Sequence, residues 1–130
     1  MALNVCQNGE MKLLAACLAA EDRTLNLYSN SHTPSNTDTA AAYTACTFAG
    51  YTAVTLYGSA WTTPSINSSG NAVSTQPQVS WTCTDTGQSV QGYFVLSGDS
   101  SLVWAEQFST PRTLGNTDVL NFTPQMTLSS

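Results

Sequence analysis

Charge is scarce in this chain. Only 8% of its 130 residues are Asp, Glu, Lys or Arg, against about 25% in an ordinary soluble domain. Three bases, Lys12, Arg23 and Arg112, stand against eight acids, for a net charge of −5. Nucleic-acid binding needs several Lys or Arg to neutralise phosphates, so this balance excludes it. A basic membrane-surface helix is excluded on the same ground. No apolar run approaches the roughly 20 residues of a membrane-spanning helix. His32 is the single histidine, which leaves almost no room for a histidine-built metal or acid–base centre.

What is present is a globular composition, 42% hydrophobic, in a chain the length of one domain. Thr (19), Ser (16) and Asn (9) do the solvating, and they favour strands and turns. Cys6, Cys17, Cys46 and Cys83 form no C-x-x-C pair and no zinc-like spacing. Four dispersed cysteines are not a disulfide scaffold, so they read as reduced thiols. Cys46 and Cys83, inside apolar or alternating runs, read as small buried hydrophobes.

Leu14-Ala15-Ala16-Cys17 has the form of a bacterial lipoprotein cleavage box. A signal peptide begins with a basic region and continues with about 7–15 apolar residues. Here Met1–Gly9 holds no base, and only four apolar residues separate Lys12 from Cys17. The expected element is therefore a short helix, with Asn8 as N-cap and Glu10 in the first turn. Met11, Leu14, Ala15 and Leu18 follow the spacing of one apolar face. Leu13 and Cys17 widen that stripe. The segment is expected to serve as an oligomer or docking face through Met11, Leu14 and Leu18.

From about residue 24 the period changes to two. Leu25 and Leu27 alternate with polar neighbours, and a polar loop follows over 29–39. Residues 40–48 read as irregular and partly extended, and Tyr51 to Trp61 as a strand bent at Gly58. Val73 to Val79 reads as edge-like, because Pro77 cannot donate to a ladder. Val79, Trp81 and Cys83 alternate with Ser80, Thr82 and Thr84. Asp85-Thr86-Gly87-Gln88 supplies a turn, and Gly98-Asp99-Ser100 another. Leu102, Trp104, Glu106 and Phe108 share one strand face, and further strands follow at Val119–Phe122 and Met126–Leu128. Short strands at roughly 8–12-residue spacing predict a mainly β fold. The expected architecture is an antiparallel β-sandwich or jelly-roll-like barrel over residues 21–130, behind an N-terminal arm or helix over 1–20, in a single domain.

Chemistry is hard to find. His32 sits in a Ser/Asn/Pro-rich loop with no identifiable catalytic partner. No nucleophile elbow, phosphate loop or zinc-protease motif occurs. Asp85, Asp99 and Asp118 lie where Asp caps turns. Glu106 differs, because its strand parity aims it toward a core or interface, and a buried carboxylate needs a partner. Arg112, six residues on, is the expected partner in a structural ion pair. No catalytic, metal-binding or cofactor-binding residue is assigned. Three Trp and five Tyr leave a sugar-binding or adhesin role open, although most such aromatics belong to cores.

One block of residues resembles a known group. Gly92-Tyr93-Phe94-Val95, then Leu102-Val103-Trp104-Ala105-Glu106-Gln107-Phe108, Pro111-Arg112, Asp118-Val119-Leu120 and Thr123-Pro124 resemble small structural proteins of tailed-bacteriophage virions. Leu25-Asn26-Leu27-Tyr28-Ser29-Asn30, with Pro34 and Asp38-Thr39, fits as well, and so does the Gly50-Tyr51 start of a strand ending near Trp61. The chain departs from the pattern at Thr117, where the group carries glycine. The resemblance implies a capsid cement (decoration) protein without catalysis or cofactor. Its implied partners are the major capsid protein and further copies of itself, as a dimer or trimer. Its implied place is the capsid surface, after assembly in the host cytoplasm, where thiols stay reduced. Another head or tail component is the alternative.

Overall fold

The computed structural model describes residues 3–128. Helix α1 (Gln7–Ala19) leads into β1 (Arg23–Tyr28), β2 (Val54–Leu56), β3 (Ser65–Ile66), β4 (Ala72–Thr75), β5 (Val79–Thr82), β6 (Gln88–Leu96), β7 (Leu102–Leu114), β8 (Val119–Phe122) and β9 (Gln125–Leu128). The strands form three antiparallel sheets, ordered β2-β1-β6-β7, β3-β4-β9 and β5-β8. The mainly β, antiparallel sandwich with one N-terminal helix is thus the fold that the sequence pattern predicts.

The main core lies between the first and third sheets. Leu25 and Leu27 of β1, with Val90, Tyr93 and Val95 of β6, meet Trp81 of β5 and Leu120 of β8. Period-two alternation explains the selection, because successive side chains point to opposite faces. In β5 Trp81 is buried while Ser80 and Thr82 are exposed. Cys46 and Cys83 are buried free thiols, and Cys6 and Cys17 are exposed ones. Burial pushes the Cys46 thiol up to about 12, so it stays protonated and unreactive at neutral pH.

Helix α1 lies on the second sheet. Leu14 and Leu18 pack on Ala72, with Met11, Ile66, Met126 and Leu128 around them. Full burial of one such Leu contributes roughly 1.5–3 kcal/mol. That matters because the helix is weakly capped. Its cap falls two residues ahead of the expected Asn8: the Glu10 N–H already donates to the Cys6 carbonyl at 2.9 Å, and Cys6 offers no side-chain cap. Its last turn holds no base, so Arg23 reaches back from β1. The guanidinium donates to the Cys17 carbonyl at 2.8 Å and the Leu18 carbonyl at 3.3 Å. A cation at a helix C-terminus also opposes the helix dipole favourably. The same guanidinium lies 5.8 Å from the Trp104 ring, which meets Trp61 edge-on at 6.3 Å. Both tryptophans border both cores, so this cluster joins helix and sandwich.

Two strands are shorter than the sequence pattern predicts. The Tyr51–Trp61 segment yields only Val54–Leu56, followed by a 3-10 turn at Gly58–Ala60. The Gly58 N–H is taken by the Asp22 carboxylate at 2.8 Å, which removes it from any ladder. The Val73–Val79 segment divides at Pro77 between β4 and β5, which belong to different sheets. The expected turn at Gly87 forms with φ +85, and a Cβ there would lie 1.7 Å from the Leu114 carbonyl oxygen. Thr117, where the resembling group carries glycine, adopts φ 73, a strained backbone for a β-branched residue.

Glu10 breaks the burial pattern. It is 2% exposed, and one carboxylate oxygen has no partner among the described residues. An unsatisfied buried polar group costs about 1–3 kcal/mol, more when charged. Glu10→Met, which fills the same volume with apolar atoms, is expected to raise the urea midpoint by the equivalent of about 1–3 kcal/mol at unchanged slope. A lower midpoint would mean that the carboxylate contributes a stabilising contact.

Candidate functional site

The loop that follows β1 is closed by a side-chain network. His32 Nε2 lies 2.8 Å from Asp38 Oδ2, and the Tyr43 hydroxyl donates to the same oxygen at 2.7 Å. The Ser35 N–H donates to it as well, at 2.9 Å. With Asp38 ionised, Nε2 carries the ring proton. The Tyr28 hydroxyl in turn donates to the His32 carbonyl at 3.0 Å. Tyr43 stacks on Phe94 at 5.1 Å and meets Tyr28 edge-on at 4.9 Å. These rings cover the face of β1 and β6 that points away from the main core. Burial, then the Asp38 hydrogen bond and charge, push the Tyr43 phenol up.

A histidine oriented by an aspartate is half of a catalytic triad. Here no hydroxyl or thiol bonds to His32 Nδ1 among the described residues, so the geometry describes a loop clamp. The sequence singled out His32 but missed Asp38 and Tyr43, because loop contacts carry no periodicity.

The clamp sets a pH dependence. The His32 hydrogen bond, then those from Tyr43 and Ser35, hold the Asp38 carboxyl at about 2, below its ordinary 3.8. A depressed carboxylate contributes stability that is present above its unfolded value and lost as pH falls through the folded value. Stability is therefore expected to drop between pH 4 and 2. Asp99, held at about 2 by Ser101 and Ser97, titrates in the same window. Asp38→Asn should flatten this drop without abolishing it, as followed by thermal melts across that range. An unchanged slope would contradict the clamp.

The clamped loop stands beside an open sheet edge. β7 is the outermost strand of the largest sheet, and the opposite edge, β2, is only three residues long. Leu102, Val103, Trp104 and Ala105 all line one cleft of about 350 Å³, facing Pro34, Ser35 and Asn36. Alternating side chains cannot all face one side of a sheet. A one-residue bulge at Val103, between the Leu96–Leu102 and Val95–Trp104 pairs, breaks that alternation, so successive residues of the edge strand border the same hollow. The Thr33 hydroxyl donates to Gln107 Oε1 at 3.3 Å, tying the loop to β7. Val103 is 43% exposed. Long edges are ordinarily guarded by charge, proline or bulges; residues 102–105 carry no charge, and their single guard is the bulge at Val103.

The second half of β7 is more irregular still. Gly92 pairs with Gln107 and Val90 with Arg112. Two steps on β6 thus face five on β7, which leaves three extra residues bulging around Phe108–Pro111. A Cβ on Gly92 would lie 2.2 Å from the Glu106 carbonyl oxygen, so only glycine admits this close approach.

The expected Glu106–Arg112 ion pair does not form. The ion pairs among the described residues are Arg23–Glu21 and, with His32 protonated, His32–Asp38. Glu106 is exposed on the edge strand and accepts a hydrogen bond from the Tyr93 hydroxyl at 3.0 Å, directly across the ladder. Parity held for Trp104, Glu106 and Phe108, while the bulge at Val103 turns Leu102 to the opposite face; an edge strand gives one face only partial cover, and five residues of strand with a bulge part the two charges. Both still line a single hollow.

The expected docking stripe is also corrected. Leu14 and Leu18 are buried within the chain, and Met11 is partly so. The small second sheet needs a cover, and this face of α1 supplies it. Leu14 to Cys17, the apparent cleavage box, lies inside the helix. No group of three or more His, Cys, Asp or Glu that could hold a metal occurs among the described residues. No protein-family model, curated protein or solved structure matches the chain.

Proposed function

We propose that this chain is a structural protein of a tailed-bacteriophage virion, and specifically a capsid cement (decoration) protein. It would sit on the capsid surface, bind the assembled shell and bridge major capsid subunits, in contact with further copies of itself. The observation that carries this reading is the uncharged stretch Leu102–Ala105 on the β7 edge, with the clamped loop opposite. An extended segment of a capsid subunit can add to such an edge, with main-chain hydrogen bonds giving affinity and alternate side chains giving register. The resemblance described above and the 8% charged fraction support the same reading, because charged residues are depleted at interface cores.

The mechanism is mass action. A domain that binds only the assembled shell stabilises it by about 2.7 kcal/mol per site at a hundredfold excess over Kd. The test is co-sedimentation of the purified protein with shells of the phage that encodes it, stripped of this chain. Saturation at a fixed ratio to the major capsid protein, with a raised disruption temperature, is expected. Binding to tails or head–tail connectors instead would favour the other head or tail role and contradict the cement reading.

A further inference from the structure

The bulge in β7 opens a second surface feature, separate from the edge cleft. Two hollows, of about 360 and 280 Å³, adjoin across Glu106 and Phe122. Their floor is aromatic: Phe122 lies 4.8 Å from Tyr93 and 6.1 Å from Phe108, with both phenylalanines half-buried. Their rims are polar. Glu106 spends one oxygen on Tyr93 and has no other partner among the described residues. Arg112 makes no ion pair among them. Asn121 borders the first hollow, its side chain bonded to Ser80 on the outward face of β5 and β8, and Gln125 stands at the far end.

Half-buried rings flanked by one acceptor and several donors match a ligand with an apolar C–H face and a ring of hydroxyls. One Glu and one Arg sum to no net charge, which favours a neutral ligand over an acidic or basic one. Two adjoining hollows call for a chain of units. We infer that the Glu106 groove binds a neutral oligosaccharide, one sugar ring over Phe108 and Phe122 and the next beside Gln125. Glu106 would accept from ring hydroxyls, and Arg112 and Gln125 would donate. Such a site would give a shell protein a hold on surface glycans, a function beyond capsid bridging and independent of it.

The test is an NMR titration of the labelled full chain with maltotriose, cellotriose and chitotriose at millimolar concentration, with sialyllactose as the acidic control. At least one neutral trisaccharide is expected to shift the backbone signals of Phe108, Asn121, Phe122 and Gln125, with sialyllactose weaker. Glu106→Gln is expected to weaken that binding about 10-fold, because a charged acceptor is lost, and Arg112→Ala several-fold. Both positions are exposed, so a matching spectrum away from the groove verifies the fold. No shift with any neutral trisaccharide would overturn the inference. So would equal binding of sialyllactose, or affinity indifferent to Glu106→Gln. Each of these readouts is independent of shell binding.

Discussion

Arg23→Met is expected to cost about 2–4 kcal/mol of folding stability, seen as a lower urea midpoint and loss of helical signal ahead of the main transition. Arg23 is 5% exposed and holds the two carbonyls that end α1. Hydrogen bonds to charged groups contribute about 1.5–3 kcal/mol each, and a carbonyl left without its partner adds its own cost. Glu21 Oε1 lies 3.5 Å from Nε, near enough for attraction but not aligned as a hydrogen bond. It is also 40% exposed, so it adds little. Methionine keeps the apolar contact with Trp104 while removing the donors, which isolates the capping role. Removing a buried charge also relieves its desolvation, and a net loss is expected because the carbonyls stay behind. Arg23→Lys should fall between, since a point charge cannot span both carbonyls. A Met variant as stable as the parent chain would mean that the helix is held by Leu14 and Leu18 alone.

Under the proposed cement role, Val103→Lys is expected to weaken shell binding about 10- to 100-fold, each tenfold being 1.4 kcal/mol, with stability changed by no more than about 0.5 kcal/mol. Val103 is exposed in the middle of the edge cleft. A lysine there is the guard that edge strands normally carry against pairing. Val119→Lys, equally exposed but on β8 of another sheet, should leave binding unchanged. Equal loss from both variants would point to general electrostatics and away from the β7 edge.

The fold was legible where period-two alternation was strong. The strands around Trp81, Phe94 and Trp104 all form, as does the turn at Gly87. Alternation says which residues share a face, but not whether another layer covers that face. Glu106 shows the gap: its parity with Trp104 and Phe108 was readable, while its place on an edge strand depends on which strand β7 pairs with. Met11, Leu14 and Leu18 show the converse, since an apolar stripe looks the same whether its cover is the chain's own sheet or a partner. The clamp at Asp38 and the bulge after Gln107 rest on contacts across loops and ladders, which local spacing does not encode. Charge scarcity was readable at once, and it gains meaning from where charge is missing, at residues 102–105 along an open edge.

The most direct test of the cement reading is a cryo-electron microscopy map of the virion to which that reading assigns this chain. The expected result is repeated density of this domain on the outer shell, with β7 paired to an extended segment of a capsid subunit. A shell without such density, or copies seated on it with the β7 edge facing solvent, would contradict the account.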